Sequence, residues 1–298
     1  MICAFLAFFA QLYCEEDSMH DRPYRSALYI PGSKDRALEK ARGLPVDVIL
    51  FDLEDAVSPD AKVAARDTLY AALADDGYGA RLKIVRINGL DTEWGAADAA
   101  AVAAMNCDAI LLPKVNGPDD VDALAKLVPD LPIWAMMETP QGILNAAAIA
   151  EHPGIAGFVL GTNDLAKDLN SRTRAALMTS LQLCLLAAKV AGVVALDGVY
   201  NAFKDEDGLR AECSEGRDMG FDGKTLIHPA QVAIANAAFG PTDDEIDLSR
   251  RQIAAFEAAE AEGQGVAVVD GRIVENLHIV TARATLAKAD AIAALETA

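Results

Sequence analysis

Eight short apolar runs recur along this chain at intervals of about 28 residues, and few architectures accept that count at that spacing. They are Ala27–Ile30, Val48–Phe51, Leu82–Ile87, Ala109–Leu112, Ile133–Met137, Gly157–Leu160, Val193–Leu196 and Thr225–Ile227. Most end in polar or Gly/Pro residues, and the stretches between them, such as Ala61–Leu73 and Met178–Ala191, carry helical periodicity. A (β/α)8 TIM barrel uses about 30 residues per strand–helix unit. The competitor is a doubly wound sheet, which would open on a GxGxxG turn; here the first turn reads Pro31-Gly32-Ser33-Lys34. The expected fold is therefore an α/β TIM barrel spanning residues 24–240.

Residues 241–298 follow a different pattern. Asp243–Gly263 is a charged, Ala-rich helix opened by the capping sequence Thr242-Asp243-Asp244-Glu245. Val266–Val269 and Arg272–Val274 flank Asp270-Gly271 as a hairpin, and a helix from Ile279 closes the chain. A lone hairpin is not stable, so this C-terminal helix–hairpin–helix segment is expected to act as a lid and oligomerisation element. Residues 1–23 are expected to be an N-terminal extension. Its apolar run MICAFLAFFAQLYC lacks a preceding Lys or Arg and an A-x-A-like site, and it is too short to span a bilayer. Met19, just before the patterned sequence, is the expected native start, and no other segment is expected to approach transmembrane length.

Charge and composition remove several functions. The net charge of −19 argues against nucleic acid and against anionic membranes, and it obliges any anionic ligand to find local cations. Aromatics, at 6%, are too few for a sugar- or base-stacking platform. Cys3, Cys14, Cys107, Cys184 and Cys213 are odd in number and lack zinc or CxxC spacing, which reads as reduced thiols in a cytoplasmic protein.

In a barrel, chemistry sits at the C-terminal ends of the strands. The polar residues there are Ser33, Lys34 and Arg36 after the first run, Asp52, Glu54 and Asp55 after the second, and Arg86, Asn88 and Asp91 at the third. Lys114, Glu138, Asn163 with Asp164, Asp197 and His228 follow the later runs. Glu138 and Asp164 lie 26 residues apart, one strand–helix unit, so they come from adjacent strands and can share a hard cation such as Mg²⁺. The bland reading makes each carboxylate a helix cap. Arg86 either pairs with the acidic cluster or grips a substrate carboxylate, Lys114 is equally ambiguous, and a lone His228 is more often structural. Backbone amides and the cation of Ser33-Lys34 could meet a phosphate.

The stretches LYIPGSKDRALEKA (28–41), FDLEDAV (51–57), VRINGLDT (85–92), LLPKV (111–115), METPQG (137–142), LGTNDLA (160–166), LDGVYNAFKDEDGLRAE (196–212), GFDGKTLIHPAQV (220–232) and GRIVENLHIV (271–280) resemble the citrate lyase β-subunit / malyl-CoA lyase (HpcH/HpaI aldolase-like) family from about Tyr24 to the end. The resemblance implies Mg²⁺ (Mn²⁺ as a substitute) on Glu138 and Asp164, and Arg86 on the carboxylate of a small acid. It also implies CoA near Ser33, Lys34 and Arg36, and homotrimers or homohexamers in which the C-terminal segment closes a neighbour's site. Lyases of the family usually carry Asp where this chain has Glu275, in Gly271-Arg272-Ile273-Val274-Glu275. The longer acid resembles the branch that hydrolyses (3S)-malyl-CoA to malate and CoA. Glu275, Arg86 and Asp52 are then the expected catalytic residues, with Ser33, Lys34, Arg36, Arg86 and Glu138 toward the acyl-CoA. The alternatives are C–C cleavage of malyl-CoA, β-methylmalyl-CoA or citramalyl-CoA, or a citrate lyase β subunit. A glycosidase on the same barrel is disfavoured because Trp94 and Trp134 are the only tryptophans. A non-catalytic acyl-CoA-binding subunit has no use for a paired metal site.

Overall fold

The computed structural model describes residues 22–297. Most of the N-terminal extension, with Cys3, Cys14 and Met19, lies outside the described residues. Eight parallel strands close into a barrel: β1 (Ser26–Pro31), β2 (Val48–Asp52), β3 (Leu82–Arg86), β4 (Ala109–Leu112), β5 (Ile133–Met137), β6 (Ile155–Leu160), β7 (Val194–Asp197) and β8 (Gly223–Leu226). Each pairs with its sequence neighbour, and β8 returns to β1 with Ser26 opposite Lys224.

The strand period of two divides the core. Ile49, Phe51, Val85, Ile110 and Ala135 face the helices, while Val48, Leu50, Ile84, Leu111, Trp134 and Met136 fill the barrel interior. Trp134 is completely buried there, and a Cβ on its register partner Gly157 would run into the indole. β4 and β5 have the limits that their apolar runs predict. β6 starts at Ile155 and β8 at Gly223, two residues earlier than expected in each case; for β8 the reason is that Gly223 and Lys224 do not read as strand residues. Lys224 is nonetheless fully buried, its ammonium held by Asp197 (3.0 Å) and Glu212 (2.7 Å).

The covering helices are α1 (Asp35–Ala41), α2 (Lys62–Ala72), α3 (Gly95–Val102), α4 (Pro118–Ala125), α5 (Pro140–Leu144), α6 (Ala146–Ala150), α7 (Thr162–Asp168), α8 (Met178–Ala191), α9 (Glu206–Met219) and α10 (Val232–Phe239). One expectation needs correction. Arg174–Ala191, which contains α8, is 18 residues long with a mean hydropathy of 1.3, enough by length and composition to cross a membrane. Its Leu181, Cys184, Leu185 and Ala188 are instead packed in the barrel's outer core.

The described residues divide into two compact units, one formed by Tyr24–Gly240 with 295–297, the other centred on Pro241–Ala294. In the second, α11 (Asp243–Ala261) starts at a capping box between Thr242 and Glu245. The hairpin of β9 (Ala267–Val269) and β10 (Arg272–Val274) turns through Asp270 and Gly271, both at positive φ (50° and 73°), as a tight two-residue hairpin requires. Phe256, Ala267, Val269, Val274 and Ile279 form its core. The last helix, α12 (Asn276–Thr297), begins three residues before the expected Ile279.

Candidate active site

The inward rows of β2, β3 and β5 end in polar residues. Val48 and Leu50 lead to Asp52, Leu82 and Ile84 to Arg86, and Trp134 and Met136 to Glu138. The same alternation that fills the barrel with apolar side chains thus delivers three ionisable groups to its C-terminal mouth. They line a cavity of about 310 Å³ together with Tyr29, Asp55, Gly161, Asn163, Asp164 and Thr225.

Asp52 and Arg86 are register partners. Arg86 Nε and Nη2 donate to the two Asp52 oxygens at 2.8 and 2.6 Å, a closed fork. Asp52 also accepts from the backbone N–H groups of Glu54 and Ala56. Burial opposes its ionisation, but the Arg86 charge and these bonds hold its carboxyl below the usual range. The guanidinium lies over the Tyr29 ring at 4.9 Å, and its Nη1 faces Glu54 (2.8 Å) and the largely exposed Asp55 (3.3 Å). The structural reading of Arg86 therefore holds, while Arg86 also lines the cavity. Removing either member of such a buried pair costs about 3–5 kcal/mol.

Glu138, 2% exposed, follows β5 directly, before Thr139 caps α5. One oxygen accepts from the backbone N–H of Lys114 at 2.8 Å. Burial, and then the Glu54 charge, push its carboxyl up to about 8. Its other flank rests on Gly161, where any Cβ would collide with the Glu138 side chain. Asp164 stands in the first turn of α7, half-buried, with Lys114 Nζ at 4.0 Å from Oδ2. Lys114 Nζ also donates to Glu54 Oε1 at 3.2 Å.

Lys114 occupies the left-handed region at φ 54°, where a non-glycine residue carries about 1–2 kcal/mol of strain. Packing holds it there. Asn116 accepts from the Thr139 hydroxyl (2.7 Å), its carbonyl accepts from Asn145 (2.7 Å), and the Val115 carbonyl fills the space where Gly142 lacks a Cβ. The loop after β4 is in this way fastened to the loop that carries Glu138.

Among the described residues no group of three or more His, Cys, Asp or Glu forms a ready metal cage. The donor set still fits a hard cation that keeps waters and uses one or two protein carboxylates. Glu138 is an acid that burial and the Glu54 charge push up to about 8 despite the Arg86 charge, and Glu54 Oε2 lacks a hydrogen-bond partner although it lies 2.8 Å from Arg86.

The remaining candidates fall outside this cavity's lining. Ser33, Lys34 and Arg36 follow β1 at the same end of the barrel, Ser33 half-buried and the two cations exposed. Glu275 is exposed between β10 and α12, its backbone N–H donating to His278 Nδ1 at 3.0 Å. His228 Nδ1 accepts from Ala230 N–H and its ring stacks on Phe203, so its structural reading holds. Asp197 is consumed by the Arg174 fork and Lys224. Burial pushes Cys107 and Cys184 up to about 12 and Cys213 to about 11, values unsuited to nucleophiles. Sequence reading missed Tyr29, Gly161 and Thr225. Tyr29 could have been found as the inward residue of β1 level with Met136, and Gly161 as the residue facing Glu138 one strand over.

The HpcH/HpaI aldolase/citrate lyase family model matches residues 25–229. A (3S)-malyl-CoA thioesterase of Cereibacter sphaeroides is 66% identical over 275 residues, covering 91% of this chain and 96% of that protein. An L-malyl-CoA/beta-methylmalyl-CoA lyase of the same species is 32% identical, covering 92% and 96%. The protein CitE of Mycobacterium tuberculosis, solved in complex with magnesium, acetoacetate and coenzyme A, superposes with a TM-score of 0.77 at 28% identity, covering 91% of this chain and 99% of that one.

Proposed function

Because the chain belongs to the HpcH/HpaI aldolase/citrate lyase family, we propose that it hydrolyses the thioester of (3S)-malyl-CoA to malate and CoA, with Mg²⁺ on Glu138 and Asp164. The observation that carries this reading is a buried Glu138 with its carboxyl pushed upward, lining one cavity with Asp164 and the Asp52–Arg86 fork, in a chain 66% identical to a (3S)-malyl-CoA thioesterase. Mg²⁺ would supply Lewis-acid polarisation of a substrate oxygen. Arg86, held rigid on two nitrogens by Asp52, turns Nη1 toward the substrate's free carboxylate, which takes the place of the exposed Asp55. Asp52 acts by orienting Arg86. Ser33, Lys34 and Arg36 hold the CoA phosphates against the acidic background.

Glu275 is the acid of the hydrolytic step. Its carboxylate takes a proton from water as the oxygen adds to the thioester carbonyl carbon, and as the C–S bond breaks it hands that proton to the departing sulfur, releasing CoA as the thiol. Its setting supports a place at the barrel mouth of a neighbouring copy. Val268, Ile273, Leu277 and Val280 flank it in sequence and are each more than 60% exposed among the described residues, with Val268 and Ile273 paired across the hairpin. The assembly is a homotrimer or homohexamer, and the compartment is the cytoplasm, which suits the unpaired Cys107, Cys184 and Cys213. Residues 24–240 form the catalytic domain and 241–298 the lid.

Incubation of the protein with (3S)-malyl-CoA and Mg²⁺ tests this reading. Malate and free CoA are expected, with turnover lost in EDTA and restored by Mg²⁺ or Mn²⁺. Glyoxylate and acetyl-CoA would instead assign C–C cleavage, the reaction of the lyase relatives, and full activity in chelator would remove the metal.

A further inference from the structure

Lys114 has no part in the chemistry above, yet it reaches three of the carboxylates around the metal site. Its N–H holds Glu138, its ammonium bonds Glu54 at 3.2 Å, and the same ammonium lies 4.0 Å from Asp164. Glu54, Glu138 and Asp164 follow three different strands, so one residue, through its backbone N–H and its ammonium, links three separate elements. The backbone duty alone does not call for lysine. A φ of 54° is strained for any side chain, and glycine would present the same N–H to Glu138 with less strain. What glycine would lack is the charge.

We propose that the Lys114 ammonium, which lies between Glu54 and Asp164, competes with a divalent ion for Asp164, so that the ion must displace it from Asp164 in order to bind. The inference rests on the metal reading of Glu138 and Asp164. A monovalent charge on a flexible stem keeps facing carboxylates together while the metal is absent. It also repels the incoming ion, so affinity is held below what the acidic cluster alone would give. Lys114 is a positioning residue in this account. It sets how tightly the site holds its metal and touches no reacting atom.

The test is Mn²⁺ binding to the purified full chain, followed by electron paramagnetic resonance, with Asp164→Asn defining binding at this site. Lys114→Met, which removes charge at similar length, should bind Mn²⁺ roughly tenfold more tightly than the wild type. Lys114→Gly keeps the N–H and relieves the strained backbone, so it folds even where the Met variant does not, and it should shift affinity in the same direction. Lys114→Arg should stay near the wild-type value. At one fixed Mn²⁺ concentration, the metal-induced rise in Tm should be larger in the Met and Gly variants. Unchanged or weaker Mn²⁺ binding in the variants, or a change confined to KM for the thioester, overturns the inference and leaves the metal reading intact. A wild-type chain that binds no Mn²⁺ through Asp164 overturns both.

Discussion

Burial and the Glu54 charge push the Glu138 carboxyl up to about 8, so between its ordinary value of 4.5 and that figure the folded chain binds a proton that the unfolded chain releases. Stability of the metal-free protein must then fall as pH rises across this window. Thermal unfolding in EDTA should show Tm declining between about pH 5 and 8. Glu138→Gln should flatten the decline, and saturating Mg²⁺ should reduce it by giving the ionised carboxylate a counter-charge. A decline of equal slope in Glu138→Gln would assign it to other acids. This electrostatic state is invisible in METPQG. The sequence marks Glu138 as the acid after β5, but its shift depends on Glu54, from a loop some 80 residues earlier, and on depth of burial. Arg86 behaves the other way. A guanidinium inside an apolar strand next to an acid-rich motif already implied its pairing, and the fork to Asp52 supplies only the geometry.

At the level of strands and loops, the site depends on two close approaches that only missing side chains permit. Gly161 lets Glu138 lie against the end of β6, and Gly142 lets the Val115 carbonyl pack against the start of α5. A Cβ at 161 would meet the Glu138 Cβ as well as its carboxylate, so Gly161→Ala should shift the Glu138 backbone and carboxylate together, weakening Mn²⁺ binding at least about 10–100-fold, the usual worth of a group that orients a ligand. An unchanged Mn²⁺ affinity in this variant would show that the placement of Glu138 against Gly161 does not set metal binding. The element order of the barrel was legible because period-two apolar runs and about 28-residue spacing are properties of the chain itself. The limits of β6 and β8 were not, since Gly223 and Lys224 join a strand only through pairing with β1 and through Asp197 and Glu212. The left-handed turn at Lys114 was equally hidden, being imposed by the Asn116, Thr139 and Asn145 contacts around it.

For the molecule as a whole, a charge of −19 opposes a CoA ester, so the exposed cations after β1 carry disproportionate weight. Neutralising Lys34 and Arg36 together should raise KM roughly tenfold with little change in kcat, because phosphate contacts are equal in ground and transition states. A collapse of kcat at constant KM would move these residues into the chemistry. If Glu275 serves a neighbouring copy, mixing Glu275→Ala with Asp164→Asn subunits should restore part of the activity that each lacks alone. No recovery despite proven subunit exchange would confine Glu275 to its own chain. The pairing of Ser26 with Lys224 has a consequence during synthesis. At about 5–20 residues per second, the ribosome delivers the closing strand roughly 10–40 s after the first. Throughout that interval β1 has an open edge, and the nascent chain is a row of parallel strands able to pair with another such chain. The lysine in β8 cannot enter the wall until Asp197 and Glu212 are there to neutralise it, so the last strand to arrive is also the one least able to lodge in a wrong place.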